Sequence, residues 1–292
     1  EDNVFVSGIG CAARFPYYMA TYGFHTIHGR APAFATGIKI ANPDLNVWVV
    51  GGDGDMLSIG GNHLMHVLRR NVDVQVLLFN NEIYGLTKGQ YSPTSRVGTR
   101  SPSTPQGSVD RPLSALPFAL GAGARFVARS IDTAQKQLPE VLKRAQAHRG
   151  ASLVEILQNC IVYNDDAFAP ITDRAHAAER QIWVEHGRPL LFAGGSKGLR
   201  VKPGGLSLEI VTVGEGGVPE AEVLLHDETD AALGAALARL EPPHFPTAFG
   251  VLYCSPAESY EQAVGAQIEA ARAGGPADLA ALLRRGPTWA VE

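Results

Sequence analysis

Cysteine is scarce: three residues in 292, at positions 11, 160 and 254. That is too few and too scattered for a disulfide framework, and it suits a reducing cytoplasm. No apolar run reaches the ~18 residues a membrane span needs. No signal-peptide pattern opens the chain either. Charged residues make up only 18% of the sequence and the formal net charge is −4. No basic run marks a nucleic-acid footprint. The phosphate-loop pattern GxxxxGK[ST] does not occur, and no GxGxxG follows a strand, which leaves a nucleotide-binding reading weak. Internal repeats and low-complexity segments are missing too. A soluble, cytoplasmic protein that contacts neither nucleic acid nor membrane is expected.

Glycine, by contrast, is plentiful at 32 residues, and apolar residues make up 45% of the chain. There is material for one large domain or two ordinary ones, with tight strand-to-helix turns where glycine is useful. Apolar patterning predicts strands near 4–10, 46–52, 72–81, 124–130 and 152–159. Helices are predicted over 31–42, 57–70, 115–123, 133–148 and 258–273, with a hairpin-like region near 194–218. Residues 84–114, rich in Gly, Ser, Thr and Pro, form a long loop of the kind that is usually functional or disordered. The alternation predicts an α/β fold with a doubly wound, mostly parallel sheet. Residues 1–164 read as its core and 165–292 as a C-terminal extension packing on that core or on a partner.

The stretch "VVGGDGDMLSIGGNHLMHVLRRNVDVQVLLFNN" (49–81) holds most of the chemistry. Gly-Asp-Gly-Asp ends one buried strand and Asn-Asn ends the next, so Asp53 and Asn81 fall on one rim of the sheet, where ligands of doubly wound folds bind. Glycines 52 and 54 let backbone amides approach an anion, and the helix that follows offers unpaired N–H groups to phosphate. A carboxylate, an amide oxygen and a backbone carbonyl are hard oxygen ligands suited to Mg²⁺ or Ca²⁺ completed by diphosphate oxygens. A lone GDG is most often a plain turn; the double Asn after the next strand makes the pair specific.

This paired motif resembles the diphosphate-binding domain of thiamine diphosphate enzymes. The resemblance implies that Asp53, Asn81 and the Ile83 carbonyl ligate Mg²⁺, and that Gly54, Asp55, Gly85 and Leu86 contact the cofactor. "SGIGCAARFPYYMATYGFHTIHGRAPAFATGIKIANPDLNVW", "NNEIYGLTKGQYSPTS" and "LVEILQNCIVYND" extend the likeness. They resemble the β subunit of 2-oxoacid:ferredoxin oxidoreductases, above all the 2-oxoglutarate branch, over nearly the whole chain.

Membership would bring thiamine diphosphate, Mg²⁺ and a [4Fe-4S] cluster as cofactors. Coenzyme A would be the co-substrate, a small 2-oxoacid the substrate and ferredoxin the electron partner. A separate α subunit would carry the pyrimidine-binding domain, making the enzyme a heteromer. By the same resemblance Ile9, Gly10, Cys11, Ala12 and His28 belong to the cofactor site. Lys88 and Arg14 would clamp substrate carboxylates beside His28, Arg offering a bidentate fork.

Four thiolates are normally needed for [4Fe-4S]. Cys11 and Cys160 match two family positions, while the family's further Cys-x-x-Cys does not occur here. Either a segment carrying that pair precedes residue 1, which is expected, or the protein has no cluster and is a non-redox thiamine enzyme. Each residue also has an ordinary alternative: a buried thiol for the cysteines, a solvated cation for Lys88 and Arg14, a structural imidazole for His28. Cys254 reads as a buried thiol, and the His63/His66 pair is too small to be a zinc site. Pyruvate is the main rival substrate, and a non-catalytic binding partner is a third reading.

Overall fold

The fold is that of a computed structural model, which describes residues 2–275, 278–287 and 289–291. Its strands are β1 (Asn3–Ser7), β2 (Tyr22–His25), β3 (Asn46–Gly52), β4 (Val74–Asn80), β5 (Phe126–Ile131), β6 (Ser152–Leu157), β7 (Gln181–Val184), β8 (Leu191–Phe192), β9 (Lys197–Val201), β10 (Leu208–Thr212) and β11 (Thr247–Cys254). Between them run α1 (Ala31–Ala41), α2 (Asp53–Leu57), α3 (Gly61–Arg70), α4 (Ala115–Gly121) and α5 (Gln137–Ala147).

Eight strands form one sheet in the order β2-β1-β3-β4-β6-β5-β11-β7. Neighbours are parallel except for the antiparallel contact of β11 with β5. The predicted doubly wound α/β class is the one observed. The central strands are apolar on both faces, as burial beneath helices on each side requires. Val47, Val49, Val74, Val76 and Leu153 face one core, and Trp48, Val50, Leu77, Val154 and Ile156 face the other. Consequently β1, β3, β4 and β6 lie side by side, and their carboxyl ends form a single rim.

Two strands of this sheet, β7 and β11, come from beyond residue 164, where the sequence reading divides core from extension. The hairpin-like region near 194–218 is the antiparallel pair β9–β10, extended by β8 into a three-stranded sheet. β2, which sequence patterning passes over, is an edge strand with all four residues exposed, so it carries no alternating apolar signal. Among the described residues no helix is long and apolar enough to cross a membrane.

One predicted helix differs in a way that matters for the site. The helix expected over 57–70 is two helices, and the first begins on Asp53 itself. The chain breaks at Ser58, Ile59 and Gly60 because the loop after β2 is pressed against it. A Cβ at Gly29, whose φ is +72°, would lie 2.5 Å from the Gly60 nitrogen. Only glycine permits both that backbone conformation and that approach.

Two buried histidines packed against β11 make stability pH-dependent. His226 is 1% exposed, and its Nε2 lies 2.8 Å from the Val251 carbonyl, an acceptor, so the proton sits on Nε2. His148 lies behind β11 with its Nδ1 3.8 Å from the Cys254 Sγ. Burial pulls both imidazoles below their ordinary range. The unfolded chain therefore takes up protons that the fold refuses once pH drops below about 6.5. Stability is fully present above that pH and falls as pH decreases. The urea midpoint is expected to fall between pH 7.5 and pH 5.5, and His226→Gln to fall less over the same interval. Equal slopes in the two proteins would rule out His226 as a source.

Candidate functional site

A cleft of about 300 Å³ opens over the rim formed by β1, β3, β4 and β6. Its walls include every residue predicted for cofactor contact: Ile9, Gly10, Cys11, Ala12, His28, Gly54, Asp55, Gly85 and Leu86. The three predicted metal ligands, Asp53, Asn81 and Ile83, line it too. Residues far apart in sequence meet here because each follows the end of one of the parallel strands.

Asp53 sits at the first turn of α2 and is only 1% exposed. Its Oδ2 accepts hydrogen bonds from the Ser92 and Thr94 hydroxyls, each at 2.5 Å. Burial pushes its pKa up, while those hydroxyls and the Gly54 and Asn81 backbone pull it down; no cationic side chain acts on it. A buried carboxylate held by neutral donors lacks a counter-charge. A divalent cation bound there would supply it, and the nearby Asn81 amide oxygen and Ile83 carbonyl add hard donors. The donor set fits Mg²⁺. Among the described residues no group of three or more His, Cys, Asp or Glu comes together; a site with a single carboxylate is not of that kind.

Asp55, two residues on, has a different role. Its Oδ1 accepts from the Gly29 N–H at 2.7 Å and the Ile9 N–H at 3.2 Å. His28 Nδ1 lies 2.7 Å from the same oxygen. Asp55 thus fastens the loops after β1 and β2 to the GDGD turn. Its Oδ2 is buried with no hydrogen-bond partner, packed against Gly8 and Gly51, where no Cβ would fit.

The Asn81 turn is shaped by its neighbours. Asn81 Oδ1 accepts from the Ile83 N–H at 3.2 Å, and Asn164 Nδ2 donates to the Asn81 carbonyl at 2.9 Å. Glu82 adopts a left-handed φ of 56°. Burial raises its pKa to about 6 against the pull of Arg96, whose Nε lies 3.1 Å from the carboxylate.

Two thiols converge near Gly85. A Cβ built on Gly85 would lie 3.4 Å from Cys11 Sγ and 3.5 Å from Cys160 Sγ. The two sulfurs therefore share the space above Gly85, although Cys11 follows β1 and Cys160 follows β6. Burial raises the Cys11 pKa, with the Cys160 charge adding and Arg14 opposing. Cys254 lies apart, near His148 on β11.

Lys88 is exposed at a φ of 78° and is not among the residues lining the cleft. Arg14 is also exposed and outside that lining, though near enough to act on Cys11. His25 hydrogen-bonds Ser7 Oγ at 3.1 Å and stacks on Tyr17. His63 contacts Arg30. Sequence reasoning missed Ser92 and Thr94 as partners of Asp53. It also missed Tyr84, whose hydroxyl donates to the Gly54 carbonyl at 2.9 Å. The hydroxyl-rich "SPTS" in a long loop was the available signal.

Comparison with known proteins agrees with this geometry. Residues 8–156 match the thiamine pyrophosphate enzyme, C-terminal TPP binding domain family. The 2-oxoglutarate oxidoreductase subunit KorB of Mycobacterium tuberculosis is 50% identical over 298 aligned residues, spanning 100% of this chain and 79% of that protein. The chain belongs to this β-subunit family. Another member, the 2-oxoacid:ferredoxin oxidoreductase 1, subunit beta, of Aeropyrum pernix, is 49% identical over 164 residues, 56% of this chain and 52% of that one. The solved 2-oxoglutarate:ferredoxin oxidoreductase from Magnetococcus marinus, with 2-oxoglutarate, coenzyme A and succinyl-CoA bound, superposes with a TM-score of 0.75 at 33% identity. That match covers 98% of this chain and 83% of the other. The likeness to this family thus takes in the long loop and the C-terminal sheets as well as the GDGD–NN rim.

Within this β subunit the fit of Gly54 is testable. A Cβ there would come within 2.6 Å of Tyr84 Cζ, and the hydrogen bond to the Gly54 carbonyl holds that ring in place. Gly54→Ala should cost about 1–3 kcal/mol of stability from overpacking. Adding Tyr84→Leu should recover part of that loss, so the double variant unfolds later than the two single losses predict. Strict additivity in thermal unfolding would show that the two residues are not in steric conflict.

Proposed function

We propose that this chain is the thiamine diphosphate-binding β subunit of a 2-oxoglutarate:ferredoxin oxidoreductase. The reaction is the oxidative decarboxylation of 2-oxoglutarate with coenzyme A to succinyl-CoA and CO₂, reversible in principle, with electrons leaving through a [4Fe-4S] cluster to ferredoxin. The observation that carries this reading is the shared rim: an uncompensated buried Asp53, the Asn81–Ile83 turn and Cys11 line one cleft, with Cys160 beside Cys11 over Gly85.

Thiamine diphosphate, when bound, supplies the nucleophilic carbon and the electron sink that decarboxylation of a 2-oxo acid requires. The chain's own residues bind and orient. Asp53, the Asn81 side chain and the Ile83 carbonyl would hold Mg²⁺, which would supply positive charge for the diphosphate. Glycines 54 and 85 let the backbone come close, and Asp55 keeps the Ile9–Ala12 and His28 segments against the cofactor. Lys88 and Arg14, both exposed, would attract the carboxylates of a dicarboxylic substrate. Cys11 and Cys160 would provide two of the four thiolates that such a cluster normally takes. A partner α subunit contributes the pyrimidine-binding domain. The placement of the reaction in the cytoplasm rests on the reducing conditions that free thiols and a cluster need.

The test is anaerobic co-expression of the full-length protein with its α subunit, followed by coenzyme A-dependent viologen reduction. Strong activity with 2-oxoglutarate and little with pyruvate is expected, and Lys88→Ala should raise KM for 2-oxoglutarate about tenfold or more. Preference for pyruvate would overturn the substrate assignment. CO₂ release without viologen reduction would point to a cluster-free decarboxylase. Cys11→Ser and Cys160→Ser should each abolish or weaken the broad visible absorption of an iron–sulfur centre; spectra like the unsubstituted protein's would remove both residues from the cluster.

A further inference from the structure

Behind the Asn81 turn lies a buried ion pair that the proposed chemistry does not use. Arg129 on β5 and Glu155 on β6 are directly opposite in register, 7% and 2% exposed, with Nε and Oε2 2.7 Å apart. They sit between two apolar layers on the same face of the sheet, Val127 and Leu153 on one side, Ile131 and Leu157 on the other. Burying two charges costs heavily, and an apolar pair of similar size generally serves stability as well or better. Packing alone does not explain them.

Glu155 has a second task. Its Oε1 accepts a hydrogen bond from Asn80 Nδ2 at 2.8 Å. A carboxylate only accepts, so the amide cannot be turned the other way, and Asn80 Oδ1 must face the rim. There it accepts from the Glu82 N–H at 3.2 Å, inside the left-handed turn that presents Asn81 and Ile83. The same oxygen lies 3.0 Å from Thr94 Oγ1, whose hydroxyl is 2.5 Å from Asp53 Oδ2. Thr94 has one proton to give, and its shorter contact is the one to Asp53. Asn80 therefore borders both the Asn81 turn and the seat of the hydroxyl that holds Asp53.

We propose that Arg129, Glu155 and Asn80 form a positioning triad that sets the Asn81–Ile83 turn and thereby the affinity for Mg²⁺ and diphosphate. Arg129 fixes the Glu155 carboxylate, Glu155 fixes the Asn80 amide, and Asn80 fixes the turn; none of the three is assigned to the cofactor itself. Outer partners of this kind typically change metal affinity by about 10- to 100-fold when removed. The inference rests on the proposed thiamine diphosphate reading.

The experiment measures binding, separately from turnover, in the full-length protein assembled with its partner subunit. Thiamine diphosphate is titrated calorimetrically at fixed Mg²⁺, and Mn²⁺ binding is followed by electron paramagnetic resonance. Two alterations are made: Arg129→Met with Glu155→Met, which removes the pair without stranding a charge, and Asn80→Ala. Each is expected to weaken both affinities about 10- to 100-fold. Because the residues act as one chain, Asn80→Ala in the double-Met background should cost little more. Unchanged affinities, or losses that multiply, would overturn the triad. Should the double-Met protein fail to fold, Asn80→Ala alone decides: an unaltered affinity overturns the inference and a weakened one supports it. An unsubstituted protein that binds neither probe would remove the cofactor reading and the triad with it. An unsubstituted protein that binds both, with variants that match it, would remove the triad alone.

Discussion

The structure depends on one electrostatic problem: a carboxylate buried at the end of a central parallel strand and held, among the described residues, by neutral donors. Asp53 is where a turn following β3 must deliver it, and burial raises its pKa. Two hydroxyls, from Ser92 and Thr94, stabilise it without neutralising it. Holding them there requires the long loop after β4 to fold back over the rim. That loop has no strand or helix of its own, yet Ser92, Thr94 and Ser95 are buried. Near the site its order comes from these side chains: Ser92 and Thr94 bond Asp53, and Ser95 bonds the Glu82 carbonyl.

Two carboxylates two residues apart have divided the work. Asp53 points to the hydroxyl loop and the Asn81 turn, whereas Asp55 gathers backbone N–H groups from the loops after β1 and β2. The helix break after Leu57 belongs to this arrangement, since it is what admits Gly29 beside Gly60. A continuous helix from 53 to 70 would keep the His28 loop away from Asp55. The glycines of the region mark where backbone has to meet backbone or a carboxylate.

The thiol pair shows the same economy near Gly85. Cys11 and Cys160 follow β1 and β6, which are separated in the sheet by β3 and β4. They come together only because both loops lean over the turn at Gly85, a position where a side chain would occupy the space between the sulfurs. The buried Arg129–Glu155 pair and Asn80 lie behind the Asn81 turn. Asn81 and Ile83, the thiol pair and the supporting ion pair are thus gathered around the residues that follow β4.

Much of this was legible from residue order. Apolar runs of strand length separated by helical periods defined the parallel core. GDGD and Asn-Asn marked the rim because in a parallel sheet the residues following each strand face the ligand side. Lys88 and Arg14 were read as clamps, and the structure sets both outside the cleft lining, a position periodicity does not resolve. Patterning does not mark β2, β7 and β11: one is fully exposed, and the other two join the sheet after all its other strands, across the intervening three-stranded sheet in the case of β11.

What the sequence determined by itself was local: which segments become strands, and which polar residues follow them, since both depend on patterns a few residues long. Tertiary structure alone decided which hydroxyls reach Asp53, that Asp55 binds loops, that two distant thiols share one space, and that an ion pair sits behind the Asn turn. The physical reason is that a buried polar group must find its partner through space, and chain crossings over the whole sheet choose that partner.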